Sequence, residues 1–250
     1  MKRSIYNISL FAGGIFIIFA LYLILQASYN EVLFPGIGEI FTKFGDFFHG
    51  KGIVSVGYTI LRLLVSLVIS FIVSMGIAFL YFIFKPTKNF FKPILFLLKV
   101  TPIVAIVLYI QALTASNSVT APYIVTTMMM IPIMTEAYTN GIDNIDEAIL
   151  DSLKLEDLNK AKQFFLIVIP VISQNIVLSL LQSIGMGLKV VVMVEYFCFL
   201  DNGIGTMLNS YYTSVQIDGL IATIIFVAII AAILEVGVYL LKKKVFKIKW

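Results

Sequence analysis

Hydrophobic positions in the chain gather into six long runs separated by short polar intervals. The runs cover about residues 8–26, 58–84, 94–113, 119–137, 171–200 and 220–241. Each approaches or exceeds the roughly 20 apolar residues that a helix needs to cross a bilayer. Hydrocarbon offers no hydrogen-bond partners, so a crossing segment of this length must satisfy its own backbone, which a helix does. The pattern predicts an all-α integral membrane protein with six transmembrane helices in a single domain, residues 1–250.

Residues inside and between the runs refine this. Thr101 and Pro102 interrupt the third run, because proline removes a ladder hydrogen bond. Gly185 and Gly187 predict a kink or break in the fifth. Ser66, Ser70, Ser74 and Ala78 recur every four residues, which marks a face where another helix packs closely. After Pro35, the residues Ile37, Ile40, Phe41, Phe44 and Phe47 predict an amphipathic helix at the outer interface. A turn at residues 201–206 leads into a short outer helix from Met207 to Tyr212.

The longest polar interval runs from Asn144 to Pro170, NIDEAILDSLKLEDLNKAKQFFLIVIP. Asn144 with Glu147 three residues on has the form of a capping box. Leu150, Leu153, Leu158, Ala161 and Phe165 recur at spacings of three and four, giving one apolar face. Such a segment either lies solvated on the bilayer surface or protrudes and docks into a groove on a soluble partner.

Composition and charge narrow the choice. The chain is 60% hydrophobic and 13% charged. The single cysteine, Cys198, excludes a disulfide framework, and the single histidine, His49, excludes a multi-histidine metal site. There is no histidine pair, serine–histidine arrangement or carboxylate cluster to suggest an intramembrane enzyme. The net charge of +4 is no sign of nucleic-acid binding, since the basic residues gather at the ends of the runs. With both termini inside, 13 of the 18 Lys and Arg residues fall on the cytoplasmic side, including Lys85, Lys88, Lys92, Lys160, Lys162 and the C-terminal lysines. The positive-inside rule favours that orientation and puts the loop 138–170 in the cytoplasm.

Ionisable residues inside the runs or at their ends include Arg62, Glu136, Lys189 and Glu195, with Gln111 as a polar addition. Charges at such depth are costly and usually face a bundle interior or an aqueous pathway. Lys189 and Glu195 are six residues apart and cannot pair along one helix face. Arg62 for Glu195 and Glu136 for Lys189 are the partners considered. Arg62 could equally snorkel to the headgroups, and Glu136 could reach the inner interface.

The polar interval resembles the cytoplasmic EAA motif of ABC-importer permeases: Glu-Ala-Ala, three residues, Gly, nine residues, Ile-x-Leu-Pro. Aligned on Pro170, Asp151, Ser152 and Leu153 take the place of the triplet and Asp157 that of the glycine, while Ile167 and Ile169 fall at the next positions. Spacing is kept; Leu153 and Asp157 depart in identity. With Thr101–Val104, Ile131–Pro132 and Glu195–Gly205, this makes the chain similar to the nitrate/sulfonate/taurine-type permeases of binding-protein-dependent importers. The resemblance implies a type I ABC importer permease fold with cytoplasmic coupling helices, in the bacterial cell membrane. It implies contact with the ATPase through Asp151, Ser152, Leu153, Leu155, Asp157, Leu158 and Pro170. It further implies ABC ATPase subunits carrying ATP and Mg, an extracellular solute-binding protein, and a second permease copy as homodimer or heterodimer. The chain has no GxxxxGK[ST] phosphate loop, so ATP hydrolysis belongs to a separate subunit. The alternative is an ion-coupled secondary transporter or channel, which the intramembrane charges support and the absence of an evident repeat disfavours. Substrate class stays open: Lys189 suits an anion, and an aromatic-rich pathway suits a ring.

Overall fold

The structure is a computed structural model that describes residues 2–29, 33–114, 119–149, 151 and 158–245. Helices make up almost all of it. They are α1 (Lys2–Ser28), α2 (Ile37–Gly45), α3 (Lys51–Ile83), α4 (Thr87–Val100), α5 (Ile103–Thr114), α6 (Ala121–Asp143), α7 (Lys160–Gln163), α8 (Ser173–Cys198), α9 (Ile204–Thr213) and α10 (Ile217–Val245). A 3-10 turn at Asp46–Phe48 joins α2 to α3. Taken singly, α3, α8 and the Ile217–Leu240 part of α10 are long and apolar enough to cross a membrane. The pair α4–α5 qualifies together, bent by 96° at its break. That break falls at Thr101 and Pro102, where the sequence predicts it.

The serine face of α3 fixes the register of the bundle. Ser66, Ser70 and Ser74 donate to the carbonyls of Tyr123, Thr127 and Ile131 at 3.2–3.3 Å. A constant offset over two turns means that α3 and α6 run parallel. The chain between them must therefore return, and α4–α5 makes that return. Against α6, α8 runs antiparallel: a Cβ at Gly141 would touch Ile172 and Asn175, and one at Gly187 would touch Met130. In turn α10 is antiparallel to α8, since Gly185 lies against Glu235 while the start of α10 follows α9. One end of the bundle thus gathers the turn before α4, the end of α6, the polar interval and the C-terminal part of α10.

Three apolar clusters fill the interior. One joins Phe47, Leu63, Met130, Leu188 and Phe226. A second joins Met134, Tyr138, Ile142, Phe164, Val168 and Ile172 near the polar interval. The third joins Val107, Val125, Val190 and Val194 around α5. Phe47 and Phe226 stack with centroids 4.2 Å apart, so α2 and its turn pack on α10 instead of resting at an interface alone. Outward faces stay apolar, with Ile72, Phe96 and Ile233 all more than 60% exposed, as lipid contact requires.

Local expectations are corrected in three places. Helix α8 is unbroken through Gly185 and Gly187. Gly187 serves close packing, because a Cβ there would lie 1.8 Å from the Met130 Cε. The irregularity falls earlier, in a π-turn at Phe164–Val168, where the Ile169 N–H bonds back five residues to the Phe164 carbonyl, just ahead of Pro170. Finally, Asn144 does not start a helix. It ends α6, and the Asp146 carboxylate caps the following turn by accepting from the Ala148 N–H at 2.9 Å.

Candidate functional site

At the end of the bundle opposite the polar interval, a buried ionic clasp joins α3, α8 and the turn before α9. Arg62 and Glu195 are 2% and 0% exposed. The Arg62 Nη1 donates to the Glu195 Oε1 at 2.6 Å and to the Asn202 carbonyl at 2.7 Å. Thr59, one turn before Arg62, donates its hydroxyl to the same carboxylate at 2.8–2.9 Å and accepts the Ile204 N–H at 2.9 Å. The Gly205 N–H completes the set at 3.0 Å from Oε2. Further hydrogen bonds offset the desolvation of an ion pair this deep: two donors besides Arg62, the Thr59 hydroxyl and the Gly205 N–H, meet the carboxylate, while the Arg62 Nε has no hydrogen-bond partner among the described residues.

Glycine at 203 and 205 lets the backbone fold onto the carboxylate. A Cβ at Gly203 would stand 2.5 Å from the Glu195 Cδ, and one at Gly205 would stand 2.0 Å from the Val192 carbonyl oxygen. Gly205→Ala should therefore push the turn off Glu195 and destabilise the chain by about 1–3 kcal/mol. Gly57→Ala on α3, where a Cβ meets nothing within 4 Å, should leave the melting temperature of the purified protein unchanged or slightly raised. Equal melting temperatures for the two variants would contradict the fit.

The other intramembrane groups separate. Glu136 pairs with Lys99 at 2.7 Å, with both side chains more than 40% exposed, and not with Lys189. The bend at Thr101 and Pro102 turns α4 so that Lys88, Lys92 and Lys99 share a face toward α6. There they line an open groove of about 750 Å³ together with Glu136 and Asn140. The Gln111 Nε2 donates to the Phe197 carbonyl at 3.0 Å, tying α5 to α8. Lys189 lies exposed in a different groove, between α8 and α10. Of the two pairings considered, the fold brings Arg62 to Glu195 and leaves Glu136 apart from Lys189.

Two further clusters have no signature in the sequence. Asp143, at the end of α6, takes hydrogen bonds from Tyr81 and Lys88 and an ion pair from Lys85 at 3.4 Å, joining α3, α4 and α6 at the polar-interval end. Tyr211 in α9 donates to the Asp46 carboxylate at 3.3 Å. Burial and the Asp46 charge push its phenol up to about 12.

In the polar interval, residues 147–149 and Asp151 are helical, and Asp151 is exposed. Ser152, Leu153, Leu155 and Asp157 lie outside the described residues. Leu158 is half-buried, and its carbonyl accepts from the Gln163 Nε2 at 3.1 Å. The Asn159 side chain caps α7 through the Lys162 N–H at 2.8 Å. The face that packs inward carries Phe164 and Val168, whereas Ala161 and Phe165, read as the apolar face, stay exposed. Pro170 sits in the short helical segment Ile169–Val171. Among the described residues no group of three or more His, Cys, Asp or Glu is arranged to hold a metal.

Comparison with solved structures finds the same helical arrangement elsewhere. A bacterial alginate ABC transporter, solved in complex with an alginate pentasaccharide-bound periplasmic protein, superposes with a TM-score of 0.67 at 16% identity, over 98% of this chain and 96% of that one. The inward-facing MetNI methionine ABC transporter superposes with a TM-score of 0.64 at 12% identity, over 78% of this chain and 94% of that one. Comparison with curated protein sequences finds no match. The model of the family described as binding-protein-dependent transport system inner membrane component matches residues 66–247. The chain belongs to that family and is a permease subunit of an ABC importer, with ATP hydrolysis carried by a separate subunit.

Proposed function

We propose that this permease crosses the cytoplasmic membrane six times with both terminal segments and the 138–170 interval inside. On this reading it passes a small solute from an extracellular binding protein to the cytoplasm, driven by two ABC ATPase subunits that bind ATP and Mg. A second permease copy, identical or related, completes the pathway. The carrying observation is that the polar interval shares one end of the bundle with Lys85, Lys88 and the C-terminal part of α10. The parallel register of α3 and α6 supports a return crossing between them. The periplasmic protein bound in the alginate transporter structure supports a binding-protein partner here too.

In this reading Asp151, Ser152, Leu153, Leu155, Asp157, Leu158 and Pro170 form the handle that the ATPase grips. Closure of the ATPase dimer on ATP moves the handle and rocks each bundle between inward-open and outward-open states. Arg62 and Glu195 hold the far end of the bundle together, and Lys189 faces the pathway.

Two measurements test this together. The chain, purified from its native membrane, should carry an ATPase with it. An impermeant maleimide should label Ser214→Cys in intact cells but Ala161→Cys only after the membrane is opened; both positions are exposed. An unaccompanied chain, or labelling of the two positions in the opposite order, would overturn the reading.

A further inference from the structure

We infer, building on the permease reading above, that the groove between α8 and α10 binds a small monoanion with an apolar body, with Lys189 as its counter-charge. The groove is open and holds about 560 Å³, within the range of small-molecule sites. Its walls include Val192, Met193, Leu208, Val227 and Ala228, and Lys189 is the one charged side chain among the residues lining it. Thr223 also lines it, but its hydroxyl is spent on the Gly219 carbonyl at 2.7 Å. Tyr196 adds a phenol to the lining, so the groove offers one cation, one phenol and a broad apolar surface.

Lys189 stands in the second half of a 26-residue apolar helix. It takes part in none of the ion pairs among the described residues. A cation at that depth costs several kcal/mol unless an anion or water meets it. Gly185, one turn earlier on the same face, opens the floor of the groove. Beneath it lies Glu235, whose Oε1 would be 3.3 Å from a Cβ at position 185. That carboxylate limits the charge the site accepts. One negative group can sit on Lys189 with the apolar body along Val192 and Val227, whereas a second would face Glu235.

Thiol labelling tests the site in the full chain in native membranes. Ala228 is exposed, lines the groove and is close in size to cysteine, and the native Cys198 is buried, so the unsubstituted chain is the blank. Ala228→Cys is treated with 2-sulfonatoethyl and with 2-trimethylammonioethyl methanethiosulfonate. With Lys189 in place, the ratio of anionic to cationic rates should exceed that in Lys189→Met by about tenfold, the effect of one charge a few ångströms away in a partly wet site. Millimolar benzoate should slow labelling when Lys189 is present and not in Lys189→Met, while phthalate and benzylammonium should not slow it. A thiol that neither reagent reaches, because lipid or a second chain seals the groove, would overturn the proposal. So would a ratio and a protection that ignore residue 189. Neither result touches ATPase co-purification, so the permease reading would survive. Conversely, benzoate protection in a chain with no ATPase would keep the site and remove that reading.

Discussion

Arg62→Met is expected to destabilise the detergent-purified permease by about 3–5 kcal/mol, and Glu195→Gln by a comparable amount. The cause is the charge left behind. Without Arg62, the Glu195 carboxylate remains 0% exposed with only Thr59 and the Gly205 N–H to meet it. Without the carboxylate, the guanidinium keeps the Asn202 carbonyl as its remaining acceptor among these contacts, and the amide of Gln turns one donor toward donors. The double variant Arg62→Met with Glu195→Met should lose less than the sum of the two, because no buried charge survives. It should still fall short of the parent, since the Gly205 N–H loses its acceptor, whereas the Thr59 hydroxyl keeps the Ser55 carbonyl at 3.2 Å. Unfolding by denaturing detergent, followed for all four proteins, gives the coupling energy directly. Additive losses would mean that the two charges are solvated independently and that the clasp does not exist as described.

The clasp shows how far the sequence could be read. Arg62 and Glu195 stood out because ionisable groups in apolar runs need partners, and opposite charge suggested the match. Thr59 carries no signal in the sequence, and Gly203 and Gly205 belong there only to a family-like turn; their part in the clasp arises when the chain folds onto the carboxylate. Of the two readings open for Glu136, the pairing with Lys189 fails for a geometric reason. Thr101 and Pro102 announce a break but not its angle, and only the 96° bend swings Lys99 toward α6. Gly185 and Gly187 read equally well as a hinge or as a contact. Met130 filling the space above Gly187 decides for contact, in line with the use of small residues where helices approach closely. Asn144 and Asp146 are both capping residues. The choice between them rests on how far α6 extends, which Tyr138 and Ile142 set by packing in the core. By contrast, the serine row on α3 was legible in full as a packing face, because a four-residue repeat of small side chains survives translation from sequence to helix.

The second large effect belongs to the proposed handle. Leu158→Glu should cut solute uptake in reconstituted vesicles by at least about 30-fold, the loss expected when a buried apolar anchor of about 2 kcal/mol is removed from a docking surface. The chain should still fold and insert. Backbone geometry at this position is held from elsewhere: the Gln163 amide bonds to the Leu158 carbonyl, and the Asn159 side chain caps the next turn. Neither contact involves the leucine side chain, which is only half-buried within the chain. A charged replacement thus changes what an approaching partner meets more than what the permease itself packs. Asp157→Lys should act differently, weakening registration with the ATPase through charge and responding to salt, whereas the Leu158 effect should be nearly salt-independent. Leu158→Met, which keeps volume and polarity, should restore most uptake. Normal uptake and normal solute-stimulated ATP hydrolysis in Leu158→Glu would place the grip of the motor somewhere other than this interval.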